Sequence, residues 1–159
     1  MAKNGFKSAV DFGLITEARE KASTLALWRQ GQAVVSQVQR DRLAPIETGA
    51  LRRSAVVTLN HLPNPEAVYA EAREKAVDNP ALPPAGARAA KAYVSYNTPY
   101  AEALHERLDW KPRATRKLAS GRVVQKPAEG GPKWLEKALA ACKSKFPAIV
   151  SRTFKEVFK

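Results

Sequence analysis

Side chains able to carry acid–base or metal chemistry are few and scattered in this 159-residue chain. Its two histidines are His61 and His105, and the second is followed by Glu106. A zinc-protease helix needs another histidine four residues after the first, and position 109 is Asp. Glu106 and Asp109 lie on or just past one short predicted helix, where solvated carboxylates are ordinary. The sequence therefore predicts no catalytic residue and no metal site.

Cofactor chemistry has equally little support. Gly130 and Gly131 precede a predicted helix, but one glycine pair is a weak signal for a phosphate-binding loop. No serine lies in a nucleophile-elbow pattern. The single cysteine, Cys142, excludes an internal disulfide and is expected to be a small buried apolar residue. We expect no cofactor, and an enzyme with an unrecognised site is the least favoured class.

The positive charge is concentrated in the last third of the chain. The formal net charge is +12. Residues 1–109 contain 14 Lys or Arg against 12 Asp or Glu, whereas residues 110–159 contain 13 against three. Such a field favours an anionic partner, which is nucleic acid, an acidic protein face or an acidic neighbouring subunit.

A basic segment without any acidic residue separates Asp109 from Glu129. It resembles a hairpin that turns at Ser120–Gly121. Two partners are compatible with it: DNA, through phosphate contacts and stacking of a tryptophan, or an adjacent protein subunit. No known nucleic-acid-binding motif accompanies the charge, so we favour the subunit. The candidate contact residues are Trp110, Lys111, Arg113, Arg116, Lys117, Arg122 and Lys126.

The elements that must position this segment belong to an α+β domain. The predicted architecture is a long N-terminal helix packed on a small, mainly antiparallel sheet, with C-terminal helices and an extended basic hairpin arm. Apolar spacing predicts the helix over 15–43, with a bend at Gly31 and an end before Pro45. Alternating residues predict strands over 51–59 and 87–96, while 66–77 fits either a strand or a short charged helix. Thr98–Pro99 and Gly131–Pro132 are expected to start further helices.

The predicted organisation is one domain, residues 15–146, with the protruding hairpin inside 110–130. A flexible basic arm, 1–14, precedes it and a C-terminal helix, 147–159, follows it. No apolar run is long enough to span a bilayer, and the N-terminus lacks the apolar core of a signal peptide, so we expect a cytosolic protein without a membrane contact.

Three segments in this order resemble a family of siphophage proteins. Residues 44–54, APIETGALRRS, resemble the P-x-x-TG-x-L-R-x-S segment of tail-completion and minor capsid proteins. Residues 94–106, VSYNTPYAEALHE, resemble the family's strand running into YA-x-x-x-H or YA-x-x-x-E. Residues 131–139, GPKWLEKAL, resemble its closing helix. Many relatives carry E-x-G-T after the tyrosine motif, and residues 106–109 differ from it.

The resemblance implies a non-enzymatic virion protein of the head–tail connector, or neck, that works as a ring oligomer. Its expected partners are copies of itself and other neck, portal-side or tail proteins, with non-specific contact to packaged DNA. Its expected location is the head–tail junction, and the host cytoplasm during assembly. Thr48 and Gly49 provide what a tight helix-to-strand turn needs, a short hydroxyl side chain and a residue that tolerates positive φ. A small basic nucleic-acid-binding module is the alternative.

Overall fold

The computed structural model describes residues 12–45, 49–109, 115–117, 120–125 and 130–159. It shows the predicted α+β architecture, and no described helix is long and apolar enough to cross a membrane. The predicted arm 1–14 lies outside the described residues up to position 11. In chain order the elements are α1 (Phe12–Arg40), α2 (Ala50–Arg53), β1 (Ala55–Leu59), α3 (Pro65–Glu74), β2 (Ala92–Tyr96), α4 (Ala101–Glu106), β3 (Thr115–Lys117), β4 (Val123–Gln125), α5 (Trp134–Lys143) and α6 (Phe146–Val157).

The long helix α1 begins and ends about three residues before its predicted positions. Its end is set by Arg42, which adopts a left-handed conformation with φ of 52°. The amide of Leu43 then donates to the carbonyl of Val38, and the amide of Arg42 donates to Gln39. This pair of bonds is a Schellman motif, which closes a helix without help from a proline. The helix therefore ends before Pro45 as predicted, but the Schellman motif and not the proline closes it.

The segment predicted as a strand over 51–59 is a strand only from Ala55. Before it, α2 forms a single helical turn, in which the amide of Arg53 donates to the carbonyl of Gly49 and that of Ser54 donates to Ala50. The prediction of a strand was therefore wrong for residues 51–54, where two adjacent arginines interrupt the apolar alternation.

The central sheet pairs β1 with β2 in antiparallel register, from Ala55 opposite Tyr96 to Leu59 opposite Ala92. The predicted second strand is shorter than 87–96, because the amide of Ala89 donates to Thr24 Oγ1 and that of Ala90 donates to the Asn60 side chain. These bonds to side chains replace a strand ladder. Between the strands, the ambiguous segment 66–77 contains the helix α3.

Helix α3 has a clear N-terminal signal that the sequence reading did not use. The side chain of Asn64 accepts hydrogen bonds from the amides of Glu66 and Ala67, at 3.0 and 3.4 Å, and Pro65 opens the helix. An N-cap followed by proline is a standard helix start.

The second antiparallel pair joins β3 to β4, with Thr115 opposite Gln125 and Lys117 opposite Val123. The predicted turn at Ser120–Gly121 lies between the two strands, and Gly121 has a φ of +80°. Glycine adopts this conformation without the steric cost that other residues carry.

The predicted helix start at Thr98 was wrong, because α4 begins at Ala101. The backbone carbonyl of Thr98 accepts the amide of Ala101, while its hydroxyl is buried without a hydrogen bond. The helix also ends at Glu106, so Leu108 lies beyond it and is exposed. By contrast, α5 buries Trp134, Ala138 and Cys142, which confirms the prediction that the cysteine is a buried core residue. Apolar spacing predicts that Leu135 and Leu139 share this stripe, but Leu135 is only partly buried and Leu139 is exposed.

Two apolar clusters form the core of the described chain, and α1 contributes to both. One lies between α1 and the sheet and contains Trp28, Val35, Ala55, Val57 and Leu59. The other lies between α1, α2 and the C-terminal helices. Helix α6 runs back along α1, where the Arg29 guanidinium donates to Glu156 and to the buried Thr153 hydroxyl.

Gly31 lies inside α1 at the contact with β1. The helix continues through it, and a Cβ added there would lie 2.6 Å from Val57 Cγ1. Glycine therefore admits a close approach between helix and sheet, at a helix-propensity cost of about 1 kcal/mol.

We expect Gly31→Ala to destabilise the protein by about 1–3 kcal/mol, because overpacking exceeds the gain in helix propensity. Urea unfolding provides the measurement, and Ser36→Ala on the exposed side of α1 is the control for propensity alone. In a Val57→Ala background the same glycine substitution should become neutral or stabilising. An equal cost in both backgrounds would contradict the proposed contact.

Candidate functional site

The basic hairpin, residues 115–125, contains those predicted contact residues that the structure describes. Arg116 and Lys117 belong to β3, and Arg122 is exposed just before β4. Both hairpin strands pack on each other, and neither packs substantially on any other described helix or strand. The predicted contacts Trp110, Lys111, Arg113 and Lys126 lie outside the described residues, as does Thr48 of the predicted turn.

The chain that follows the hairpin in sequence packs closely on the body from Gly130 onward. Gly130 has a φ of +86°, and a Cβ there would lie 2.5 Å from the Pro45 backbone. The Gly131 amide donates to the carbonyl of Leu43, and the Lys133 amide donates to the backbone carbonyl of His105 at 2.8 Å. Glycine at 130 is thus required twice, by its conformation and by the space available.

In the 49–54 turn, Gly49 has a φ of +83°, a conformation that glycine tolerates, and it precedes the short helix α2 where the prediction had a strand. Three residues after Gly49, Arg52 donates from Nε and Nη2 to the carbonyl of Ala44, at 2.9 and 2.7 Å. Arg53 Nε donates to the carbonyl of Ala72 at 2.7 Å. Two neighbouring guanidiniums thereby fasten the turn to the end of α1 on one side and to α3 on the other.

Ser54, fully buried, links this turn to the end of β2. Its hydroxyl donates to the carbonyl of Leu51 and accepts the amide of Asn97 at 3.0 Å. The Asn97 side chain donates to the carbonyl of Ser54 at 3.1 Å. Both polar residues are satisfied internally, which makes this link structural.

A charged cluster joins α4 to α5, and His105 is its centre. His105 Nδ1 lies 2.8 Å from Glu106 Oε1, and Nε2 lies 2.6 Å from Glu136 Oε2. Lys133 bonds to Glu106 and lies 3.4 Å from Glu136. The imidazole stands edge-on to the Trp134 ring, with ring centroids 4.6 Å apart. The amide of Leu135 also donates to Nε2, at 3.4 Å, so the ring contacts both the backbone and a side chain of α5.

The cluster changes the acidity of its members. The hydrogen bond from Lys133 lowers the pKa of Glu106, with a further contribution from His105. Burial opposes ionisation of Glu136, but its own backbone amide, His105 and Lys133 together lower its pKa. The same carboxylates raise the pKa of Lys133. All three side chains are therefore charged at neutral pH.

The ligand atoms of His105, Glu106 and Glu136 lie within 4.8 Å of one another, a set that suits a divalent ion. Lys133 contacts both carboxylates and already supplies a positive charge between them. A metal ion would have to displace this ammonium. We therefore describe the group as an ion-pair cluster that fixes α4 against α5.

Sequence reasoning found the hairpin and the glycine turn but missed the cluster. His105 and Glu106 were set aside because they match no metalloprotease spacing, and Lys133 and Glu136 are 27 or more residues away. The one available signal was the placement of His105 and Trp134 within motifs of the same family resemblance.

No protein-family model, no curated protein and no solved structure matches this chain.

We expect Gly49→Val to lower the free energy of unfolding by about 1–3 kcal/mol, through strain at positive φ. Gly49→Asn is the matched control, because asparagine tolerates the left-handed region better than a β-branched residue. Thermal melts of the three proteins would show valine well below asparagine. Equal midpoints for valine and wild type would show that the turn does not need glycine.

Glu106→Gln should destabilise the fold at neutral pH and lose this effect in acid. A folded-state pKa below the unfolded one contributes stability above the unfolded pKa, and this contribution disappears as the pH falls through the folded value. Melting curves at pH 7 and at about pH 3 provide the comparison. Glu102→Gln, exposed on the same helix and without an ion pair to a described residue, is the control. A difference that persists undiminished at the lower pH would contradict the assignment.

Proposed function

We propose that this chain is a non-enzymatic structural protein of a tailed-phage particle. In this proposal it is a tail-completion or minor capsid subunit, assembled as a ring in the neck between head and tail. It works by packing against copies of itself and against the adjoining neck, portal-side or tail proteins.

The observation that carries the proposal is the meeting of the three resemblance segments in one apolar cluster. Leu51 comes from the first segment, Ala101 from the second, and Trp134 from the third, and all three are buried in the same core. Tyr96 and Tyr100 pack against it from the second segment. Residues that carry the resemblance therefore serve to hold a fold together, which suits a scaffold protein.

The packing of the basic hairpin supports an assembly role as well. The basic hairpin is attached through Gly130 and Gly131 to the body, yet its strands lack substantial packing on any other described element. A two-stranded ribbon is only marginally stable alone in water, so it gains stability from a further contact. An adjoining subunit would provide that contact.

Nucleic-acid binding is the second candidate, and one feature of α6 favours it. Arg152, Lys155 and Lys159 line one concavity on this helix and its end, beside Glu156, whose carboxylate is paired with Arg29. All three basic side chains are exposed. Exposed cations of this kind, here and on the hairpin, can contact phosphates without regard to sequence. Binding of this kind weakens steeply with salt.

Sedimentation velocity over a range of protein and salt concentrations tests the proposal. We expect a closed oligomer of defined mass that forms with increasing concentration and weakens as salt screens the basic segment. Electron microscopy of the oligomer should show rings. A chain that stays monomeric at high concentration and low salt, and binds DNA with a steep salt dependence lost in an Arg152→Gln, Lys155→Gln, Lys159→Gln variant, would instead support the second candidate.

A further inference from the structure

The two strands of the central sheet differ in whether the backbone groups of their outer edges are hydrogen-bonded to described residues. The backbone amide of Asn60 donates to the carbonyl of Lys91. The register therefore directs the backbone amides and carbonyls of the even-numbered residues of β1 toward β2. The backbone groups of Val57, an odd-numbered residue, point away from β2 instead. Its amide donates to the Asn79 side chain at 2.9 Å. The Asn79 amide group in turn donates to the carbonyl of Ala55 at 2.8 Å. One side chain therefore occupies the position of a neighbouring strand and closes the edge of β1.

The outer edge of β2 has no such cover among the described residues. The register places Ser95 and Tyr93 toward β1, which directs the backbone groups of Ala92, Val94 and Tyr96 away from it. These outward amides and carbonyls form no hydrogen bond with any described residue. Exposed rows of this kind are templates for pairing with another strand.

The sequence of β2 also lacks the usual devices that protect an edge. Its residues are Ala-Tyr-Val-Ser-Tyr, without proline, lysine or any other charged residue. The tyrosines and valine favour extended structure. An open edge in a strand of this composition is suited to accept a partner strand.

The basic hairpin is a second two-stranded sheet in the same chain, and it too can be extended by another strand. Its two strands pair with each other, and within the chain they form a sheet separate from that of β1 and β2. No described residue forms a backbone hydrogen bond with the outer edges of its strands. Strand β4 begins with two adjacent valines, which favour a strand.

We propose that the open edge of β2 accepts a hairpin strand from a second copy of this chain. The two pairs would then form one four-stranded sheet across the subunit boundary. Because the edge and the hairpin are different surfaces, each copy gives one and receives one, and the contact is head-to-tail. Such heterologous contacts close into rings when the rotation between subunits allows it. The inference rests on the proposed ring assembly and identifies the surfaces that would build it.

Val94 provides a substitution that acts on the edge. Proline at this position removes the outward amide without removing a hydrogen bond to β1. Val94→Ala is the matched control, since it loses the same side-chain packing but keeps the amide. The complementary variant replaces residues 115–125, both hairpin strands, with a short Gly-Ser linker. Circular dichroism and melting curves establish that each variant is folded.

Mass measurement by light scattering decides the result. We expect Val94→Pro and the hairpin replacement each to be monomeric, whereas Val94→Ala assembles. Mixed together, the two monomeric variants should form a complex of one copy of each and nothing larger, because one retains the hairpin and the other retains the edge. This complementation is not expected from two variants that are merely unstable.

Other outcomes overturn the inference in distinguishable ways. A hairpin replacement that forms dimers lost on adding Val94→Pro would mean that β2 pairs with β2 of a second copy. A Val94→Pro protein that assembles like the wild type would show that the edge is unused, while the ring proposal stands. A wild-type chain that is monomeric throughout would remove both proposals.

Discussion

Burial against α1 is the constraint on which the other described elements depend. A two-stranded sheet and short helices cannot enclose an apolar core by themselves. The 29 residues of α1 provide one long surface, with the sheet on one side and α5 and α6 on another. Gly31 permits the close approach on the sheet side, and the carbonyl of Ala33 accepts the Cys142 thiol on the other. A change of register along α1 would therefore disturb both cores at once.

The turn at 49–54 transmits the position of α1 to the sheet. Arg52 holds the carbonyl of Ala44, just after the end of α1, and Ser54 holds the amide of Asn97, just after β2. A segment of six residues thereby fixes the distance between the helix end and the sheet end. The spacing of Arg52 and Ser54 in this segment has a physical reason in these bonds.

Elements controlled by local periodicity were predictable, whereas those controlled by distant hydrogen bonds were not. The 3.6-residue spacing predicted α1, and alternation predicted a strand at 92–96, where Ala92, Val94 and Tyr96 pack on the core. The start of β2 depends on Thr24 and Asn60, far away in sequence, so residues 87–91 were wrongly included. The glycine turns at 49 and 121 were predictable from residue type because positive φ is a local demand.

In the candidate site, too, features set by neighbouring residues were predictable and features set by distant residues were not. Charge and the Ser-Gly turn indicated the hairpin, because both are visible in a short window of sequence. The His105 cluster joins two helices whose residues are distant in the chain, and its glutamates resemble ordinary surface carboxylates until their partners are in place. The state of a strand edge is less visible still. It depends on which residues face outward and on whether a side chain such as Asn79 reaches them. In this chain the asparagine covers β1 and nothing described covers β2, and this asymmetry gives the small sheet a direction in which it can be extended.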